Sequence, residues 1–326
     1  METILKTLKA TADGSRLRLL RVLGRGAFSV AELTEVLGVS QSTVSKHLKV
    51  LSDAGLVTAR RTGTWAYYSL QPAGGEAFDD RLMELLIASL GEVGDEDAAA
   101  VSRVVANRRK KTSEFFRAKA SQWDAVRDEL LGPPHHLDEL VEWADATGTA
   151  VDLGTGTGVL LGRLASTASR VIGVDASAEM LEEAERRVTG DGTDNTELRL
   201  GALEHLPLSD GEADTMVANL VLHHVADPVA VLREIHRGLA PGGRLVLAEL
   251  REYADESFWK KLGARWPGFR PEDMNKWLKA AGFEAVRVQD LNGAANRDSP
   301  HAKNPTRPGV FLLEARRLER NAIPNL

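Results

Sequence analysis

The chain has 326 residues, 43% of them apolar and 27% charged, with a net charge of −6 and no cysteine. This is the composition of a soluble globular protein long enough for two ordinary domains, and it excludes disulfides, thiolate metal sites and a cysteine nucleophile. No apolar run approaches the ~18 residues of a membrane span, the start METILKTLKATADG lacks the apolar segment of a signal peptide, and the missing cysteine agrees with a reducing cytoplasm.

The charge is unevenly placed. Residues 1–70 hold ten Lys and Arg against five Asp and Glu, so that segment carries +5 and the remainder −11. A basic head on an acidic body predicts a polyanionic partner at one end only. In the head, SVAELTEVLGVSQSTVSKHLKVLSDAGLV reads as two helices turning at Gly38. Leu33, Val36 and Leu37 sit at helical spacing on the first, and Val44, Leu48 and Leu51 on the second. Off that apolar face the second helix shows Gln41, Ser42, Thr43 and Ser45, with Lys46, His47 and Lys49 beside them. Short hydrogen-bonding groups and cations near a helix N-terminus suit the floor and phosphate walls of a major groove. LVTARRTGTWAYYSL then predicts a hairpin with Arg60, Arg61 and Thr62 at its tip for phosphate contacts. Trp65, Tyr67 and Tyr68 are expected to pack it onto the helices.

These segments, with ADGSRLRLLRVL before them, resemble the ArsR-type winged-helix repressors over most of residues 10–72. The resemblance implies a transcriptional regulator that binds a double-stranded DNA operator as a homodimer. Helices flanking the core would join the two copies, here about Glu2–Lys9 and Asp79–Ser89. Metal-sensing members carry paired cysteines in the first motif helix; this chain has Ser29 and Ala31 there, so no metal is expected.

Further along, GEVGDED (91–97) marks a boundary, and AAAVSRVVANRRKKTSEFFRAKASQWDAVRDELL predicts one basic helix that the prolines of GPPHH end. Strands and helices alternate from Thr149 onward, which predicts a parallel α/β sheet wrapped by helices. The fold class is therefore α/β, with an N-terminal winged helix-turn-helix and a C-terminal Rossmann-like domain. The expected bounds are 1–90 for the head, 91–111 for a helical linker and 112–326 for the body.

The body opens with VDLGTGTG, where Gly154, Gly156 and Gly158 make a tight strand-to-helix turn that a ligand can approach closely. A dinucleotide site uses similar chemistry. Three further features move the balance away from a dinucleotide. Asp152 stands just before the glycines, where a diphosphate is repelled and a sulfonium or amino group is welcome. Asp175 ends the next strand, placed for two ribose hydroxyls. A fourth strand, a helix and a PGG turn follow in ADTMVANLVLHHVADPVAVLREIHRGLAPGGRLVLAEL.

Together these resemble the class I S-adenosylmethionine-dependent methyltransferases over roughly residues 112–317. That resemblance implies S-adenosylmethionine or S-adenosylhomocysteine as cofactor, with Asp152, Gly154 and Gly156 at its methionine end and Asp175 on the ribose. Ala176 and Met180 would lie along the adenosine, although Met180 suits simple helix packing equally well. Trp123, in an aromatic lead-in helix, would close over the cofactor or else fill the core. Ala202 stands where the family often has an acid for the adenine amino group, which leaves the adenine to backbone and to Leu203. Asn219, a cofactor-binding candidate, and His223 and His224 follow the fourth strand at the mouth of such a site, where a histidine could serve as general base for a small-molecule methyl acceptor or be structural. Glu249, Tyr253 and Trp259 are candidates for an acceptor pocket, and arsenite methylation by thiolates is excluded. Two functions stay open: a regulator that senses its cofactor, and a working methyltransferase that also binds DNA.

Overall fold

Two units divide the chain in the computed structural model, Met1–Lys110 and Lys111–Leu326. The structure describes residues 2–62, 65–71, 85, 89, 94–291 and 307–318.

In the first unit, helices start where a short polar side chain closes the N-terminus. Asp13 accepts the backbone N–H groups of Ser15 and Arg16 at 2.9 and 3.0 Å, which sets α2 (Gly14–Leu23) after α1 (Glu2–Thr11). Ser29 and Glu32 form a reciprocal capping box at the head of α3 (Val30–Leu37), and Ser40 caps α4 (Gln41–Asp53). Between α3 and α4 the chain reverses through Gly38 at φ +66°, a conformation that suits glycine. A three-stranded sheet completes the wing in the order β1 (Phe28–Ser29), β3 (Trp65–Leu70), β2 (Val57–Thr62). The hairpin pairs antiparallel from Val57–Leu70 to Thr62–Trp65.

The predicted apolar faces meet in one core. Leu33, Val44, Leu48 and Leu51 are each at most 1% exposed, and Tyr68 of the wing is buried beside them. Tyr67 is half-buried, whereas the side chains of Trp65, Arg60, Arg61 and Thr62 lie outside what the structure describes. So does most of the segment expected as a second dimer helix, Asp79–Ser89. The core also takes Ala100, Val101 and Val104 from α5 (Asp95–Lys119).

α5 corrects the expectation of one helix through Leu131. It ends at Lys119, a 3₁₀ turn spans Ala120–Gln122, and α6 (Trp123–Leu131) starts afresh. Buried Ala120 anchors the break, which sequence periodicity carries straight through. Gly132 at φ +79° then stops α6 ahead of α7 (His136–Ala144).

The second unit alternates as predicted: β4 (Thr149–Leu153), α8 (Leu161–Ala165), β5 (Arg170–Asp175), α9 (Ala178–Asp191), β6 (Thr196–Leu200), β7 (Ala213–Asn219), α10 (Pro228–Gly238) and β8 (Leu239–Leu250). α11 (Glu256–Leu262), α12 (Pro271–Ala280), β9 (Phe283–Asp290) and β10 (Val310–Arg317) complete it. The seven-stranded sheet runs β6-β5-β4-β7-β8-β10-β9. Strands β4 to β8 are parallel, but β10 pairs antiparallel with both β8 and β9, so the sheet is mixed rather than parallel. β9 and β10 pair with each other directly and need no helical crossover, which alternation in the sequence does not reveal. The PGG segment lies inside β8 at a register shift between Ala213 and Thr215 of its partner, with Gly242 at φ +77°. Among the described residues no helix is long and apolar enough to cross a membrane.

Strand order reverses between β4 and β7, and a crevice opens beyond the carboxyl ends of strands at such a point. The outermost strand on one side, β6, carries Glu197 and Arg199 in ion pairs with Arg170 (2.5 Å) and Glu212 (2.8 Å), while Leu200 is 61% exposed.

Candidate functional site

The three glycines after β4 all have positive φ, +64°, +54° and +80°, but they answer different demands. A Cβ on Gly154 would stand 2.3 Å from Val221 Cγ2, and one on Gly158 would stand 3.1 Å from the Ala184 Cβ. These two let protein pack against protein. A Cβ on Gly156 would meet nothing nearer than the Gly154 carbonyl at 3.9 Å, so the open space over the loop lies there. The backbone donors of the turn are directed inward. Thr155 N–H donates to the Val174 carbonyl (2.9 Å), Gly158 N–H to the Thr155 carbonyl (2.9 Å), and Gly156 N–H to Asp175 Oδ2 (2.9 Å). A diphosphate needs such N–H groups free and repels a carboxylate. The loop fits a ligand without phosphate.

Asp175 thus holds the turn itself, and its Oδ1 accepts the Ser177 N–H at 2.9 Å. A carboxylate has about four acceptor positions, so capacity for ribose hydroxyls is left over. Burial raises the Asp175 pKa against those hydrogen bonds. Asp152 lies beneath the loop, 2% exposed, and accepts the Thr155 hydroxyl at 2.6 Å. Burial pushes its pKa up to about 7, with the Thr155 bond opposing and the Asp175 charge adding to the rise.

Trp123, Gly154, Gly156 and Asn219 line one cleft, together with His223 and His224. Trp123 sits in an edge-to-face cluster with Phe116 (5.0 Å between centroids) and Phe115 (6.3 Å), and His224 caps Phe116 at 4.8 Å. Asn219 Oδ1 is 2.8 Å from His136 Nε2. The next residue, Leu220, takes φ +53°, a strained setting for a side chain at a strand end.

The remaining sequence candidates stand away from the cleft wall. Asp152 reaches it only through Thr155, and Gly158 is packed against α9. Met180 is 1% exposed, as a core residue is, and Leu203 is 6% exposed. Ala176 is exposed and Ala202 half-buried. Of the acceptor candidates, Glu249 is fully buried, Trp259 is 1% exposed and gives its indole N–H to the Tyr253 carbonyl (2.7 Å), and none of the three lines the cleft.

Sequence reasoning missed the polar frame around the site. Asp124 accepts from the Thr157 hydroxyl (2.7 Å) and from Arg187 (2.6 Å), tying α6 to the glycine turn and to α9. Arg127, on the cleft wall, pairs with Asp128 (3.0 Å) and Asp124 (3.2 Å). His136, 83 residues before Asn219, carried no local signal. His223 and Glu249 were both singled out, but not as partners: His223 Nδ1 is 2.7 Å from Glu249 Oε1.

On the head, α4 turns Val44, Leu48 and Leu51 inward and leaves Gln41, Ser42, Ser45, Lys46 and Lys49 exposed, with Thr43 and His47 half-buried. Ser40 Oγ bonds the hydroxyls of Ser42 (2.9 Å) and Thr43 (2.8 Å), so these two are pre-oriented by the cap. The exposed set is a compact polar and cationic face one helix wide.

Comparison with known proteins agrees with both halves. A helix-turn-helix domain model matches residues 11–60, and a methyltransferase domain model matches residues 151–247. An uncharacterized 37.1 kDa protein of a Streptomyces fradiae transposon is 48% identical over 104 residues, which is 31% of this chain and 30% of that protein. The chain therefore spans under a third of that relative. A ubiquinone/menaquinone biosynthesis C-methyltransferase of Rubrivivax gelatinosus is 29% identical over 57% of this chain and 84% of its own length. Among solved structures, an N-methyltransferase of Bradyrhizobium japonicum in complex with S-adenosylhomocysteine superposes with a TM-score of 0.52 at 15% identity, covering 64% of this chain and all of that one. S-adenosylmethionine and S-adenosylhomocysteine are the cofactor pair of such a domain. The chain carries a helix-turn-helix domain in its N-terminal part and a methyltransferase domain of the class I fold in its C-terminal part.

Proposed function

We propose that this protein is a DNA-binding transcriptional regulator of the ArsR type, acting as a homodimer, whose methyltransferase domain couples S-adenosylmethionine or S-adenosylhomocysteine to operator affinity. The observation that carries the reading is α5. Its early turns supply Ala100, Val101 and Val104 to the head's core. Its last turns supply Phe115 and Phe116, which pack with Trp123 and His224 of the cleft. A ligand that moves the aromatic cluster acts on a helix that is also built into the DNA-binding unit. Coupling of this kind requires different affinities for two states and amounts to ~1–3 kcal/mol in typical cases.

When bound, the cofactor supplies a methyl group on a sulfonium sulfur. Gly156 leaves space for it, and the acidic pair beneath and beside the turn favours a cation. Trp123 and Arg127 line the same cleft; Trp123 would cover the bound group, and Arg127, held by Asp124 and Asp128, would face its carboxylate end. Gel-shift or anisotropy titrations of a selected operator, with each cofactor form in turn, test the proposal. A five- to hundredfold change in affinity with one form is expected; unchanged affinity with both forms refutes coupling.

A second reading, methyl transfer to a small acceptor, draws on the relatives' quinone and menaquinone biosynthetic names and on the His223–Glu249 pair.

A further inference from the structure

We propose that His223 takes the proton from a methyl acceptor that bears a hydroxyl on a planar, apolar frame, and that Glu249 positions its imidazole for this. The inference rests on the cofactor reading and on the second reading above, and names the base and the acceptor class of that methyl transfer.

The carboxylate of Glu249 decides the tautomer. It is fully buried, and its oxygens accept two backbone N–H groups, those of His223 (3.1 Å) and Leu250 (3.3 Å). With Glu249 ionised, the His223 Nδ1 at 2.7 Å carries a hydrogen and donates it, which leaves a lone pair on Nε2. The ring is also held from its backbone, since the His223 carbonyl accepts the N–H groups of Arg265 (2.8 Å) and Trp266 (3.0 Å).

Nε2 is buried and has no hydrogen-bond partner among the described residues. A buried acceptor left unpaired is costly and calls for a reason. His223 lines the cleft together with Gly154 and Gly156 of the cofactor turn, so a ligand beside the cofactor can supply the missing donor. Burial lowers the His223 pKa and keeps the ring neutral at pH 7. Neighbouring His224 donates Nδ1–H to the Gly263 carbonyl (3.2 Å), and burial lowers its pKa well below the ordinary value, so it too is neutral with its lone pair on Nε2. The other walls include Trp123, Leu131 and Leu262. Two lone pairs beside Trp123, Leu131 and Leu262, in a cleft that Arg127, Thr155 and Asn219 also line, suit a planar molecule that brings its own hydrogen-bond donor.

A hydroxyl is the donor that needs this help, because a neutral amine already has a free electron pair. The acceptor's O–H bond breaks and its proton goes to Nε2. The oxygen's electron pair forms the new bond to the methyl group, and the C–S pair stays on the cofactor's sulfur. The imidazolium that results stands beside the Glu249 carboxylate, which offsets its charge where burial otherwise disfavours it.

Long-range ¹H–¹⁵N spectra of the histidine-labelled full chain at pH 7 give the first test. His223, assigned through its loss in His223→Gln, should carry its proton on Nδ1 with Nε2 bare, and Glu249→Gln should abolish that preference while Glu249→Asp restores it. A proton on Nε2 in the unsubstituted protein overturns the proposal, and His223→Asn provides the assignment if His223→Gln does not fold. The second test follows methyl label from S-adenosylmethionine into catechol, hydroquinone and 4-nitrocatechol. Product should form on at least one probe and fall ~100-fold or more in His223→Gln, with S-adenosylhomocysteine affinity by calorimetry unchanged. Product unaffected by His223→Gln, or no product on any probe while S-adenosylhomocysteine binds, rejects the base. Failure of S-adenosylhomocysteine to bind rejects the cofactor reading itself.

Discussion

Arg108 grips Glu32 with two hydrogen bonds, Nε to Oε1 at 2.8 Å and a terminal nitrogen to Oε2 at 2.6 Å. Glu32 is the same residue that closes the capping box of α3, and Arg108 also bonds the Ala27 carbonyl (3.0 Å) and lies over the Phe28 ring (4.9 Å). One guanidinium therefore joins α5 to the first helix of the DNA-binding motif and to the start of the wing.

Replacing Arg108 should cost far more than a surface ion pair does. Its side chain is 4% exposed and that of Glu32 18%, and removing one partner of a buried pair costs ~3–5 kcal/mol. Burial pushes the Glu32 pKa up, yet the Arg108 guanidinium outweighs it and holds the value below the ordinary range. A depressed carboxylate stabilises fully above its unfolded pKa and loses that contribution as pH falls through the folded value. Urea titrations of the full chain should show Arg108→Ala destabilised most at pH 7, with the gap to wild type narrowing below about pH 4.5. An equal gap at pH 7 and pH 3 refutes the pairing.

Asp152 behaves in the opposite sense. With a folded pKa near 7 against 3.8, its contribution is full below about pH 4 and is lost as pH rises to about 7. Asp152→Asn should raise the ligand-free melting temperature at pH 8, by an amount reflecting a few kcal/mol at most, and leave it unchanged near pH 4. The same variant should bind S-adenosylmethionine more weakly. Calorimetric scans across that pH range decide it.

The glycine turn predicts two distinct failures. Gly156→Ala imposes a left-handed alanine, ~1–2 kcal/mol, meets no protein atom closer than 3.9 Å, and should fold while losing S-adenosylhomocysteine binding. Gly154→Ala, with Val221 only 2.3 Å from the new atom, should lose stability beyond that strain. Melting curves set beside calorimetry separate the two. Equal cofactor affinity in Gly156→Ala and wild type refutes the placement.

On α4, exposed Lys46 and Gln41 should differ in kind. Lys46→Ala should weaken binding of every DNA sequence and reduce the slope of log affinity against log salt by ~1. Gln41→Ala should instead relax base preference at one position of the half-site. Anisotropy titrations at several salt concentrations, on selected and random duplexes, provide the measurement.

Local patterning made most of the fold legible. The apolar spacing of Leu33, Val36, Val44, Leu48 and Leu51, and the glycine and acid order from Asp152 to Asp175, are short-range signals that the folded chain keeps. Three matters were not local. α5 ends at Lys119 with no proline or glycine there, and the turn that follows begins at buried Ala120. The antiparallel place of β10 depends on β9, with residues 291–309 between them in the chain. Asp124, His136 and Glu249 gain their roles only from partners 33, 83 and 26 residues away. Val104 lies in the predicted linker, yet it is 3% exposed in the head's core, so glycine there would damage the DNA-binding unit itself.

The outer strand β6 has a bearing on how the protein behaves at high concentration. An unpaired strand edge is a template on which a second molecule can add, and an exposed apolar residue such as Leu200 strengthens the invitation. Glu197 and Arg199, each already engaged with a neighbour, place fixed charges of both signs along that edge. An incoming strand must desolvate or displace them before it can pair. The ion pairs thus act as gatekeepers of solubility, and removing them would convert a quiet border of the sheet into a site of self-association.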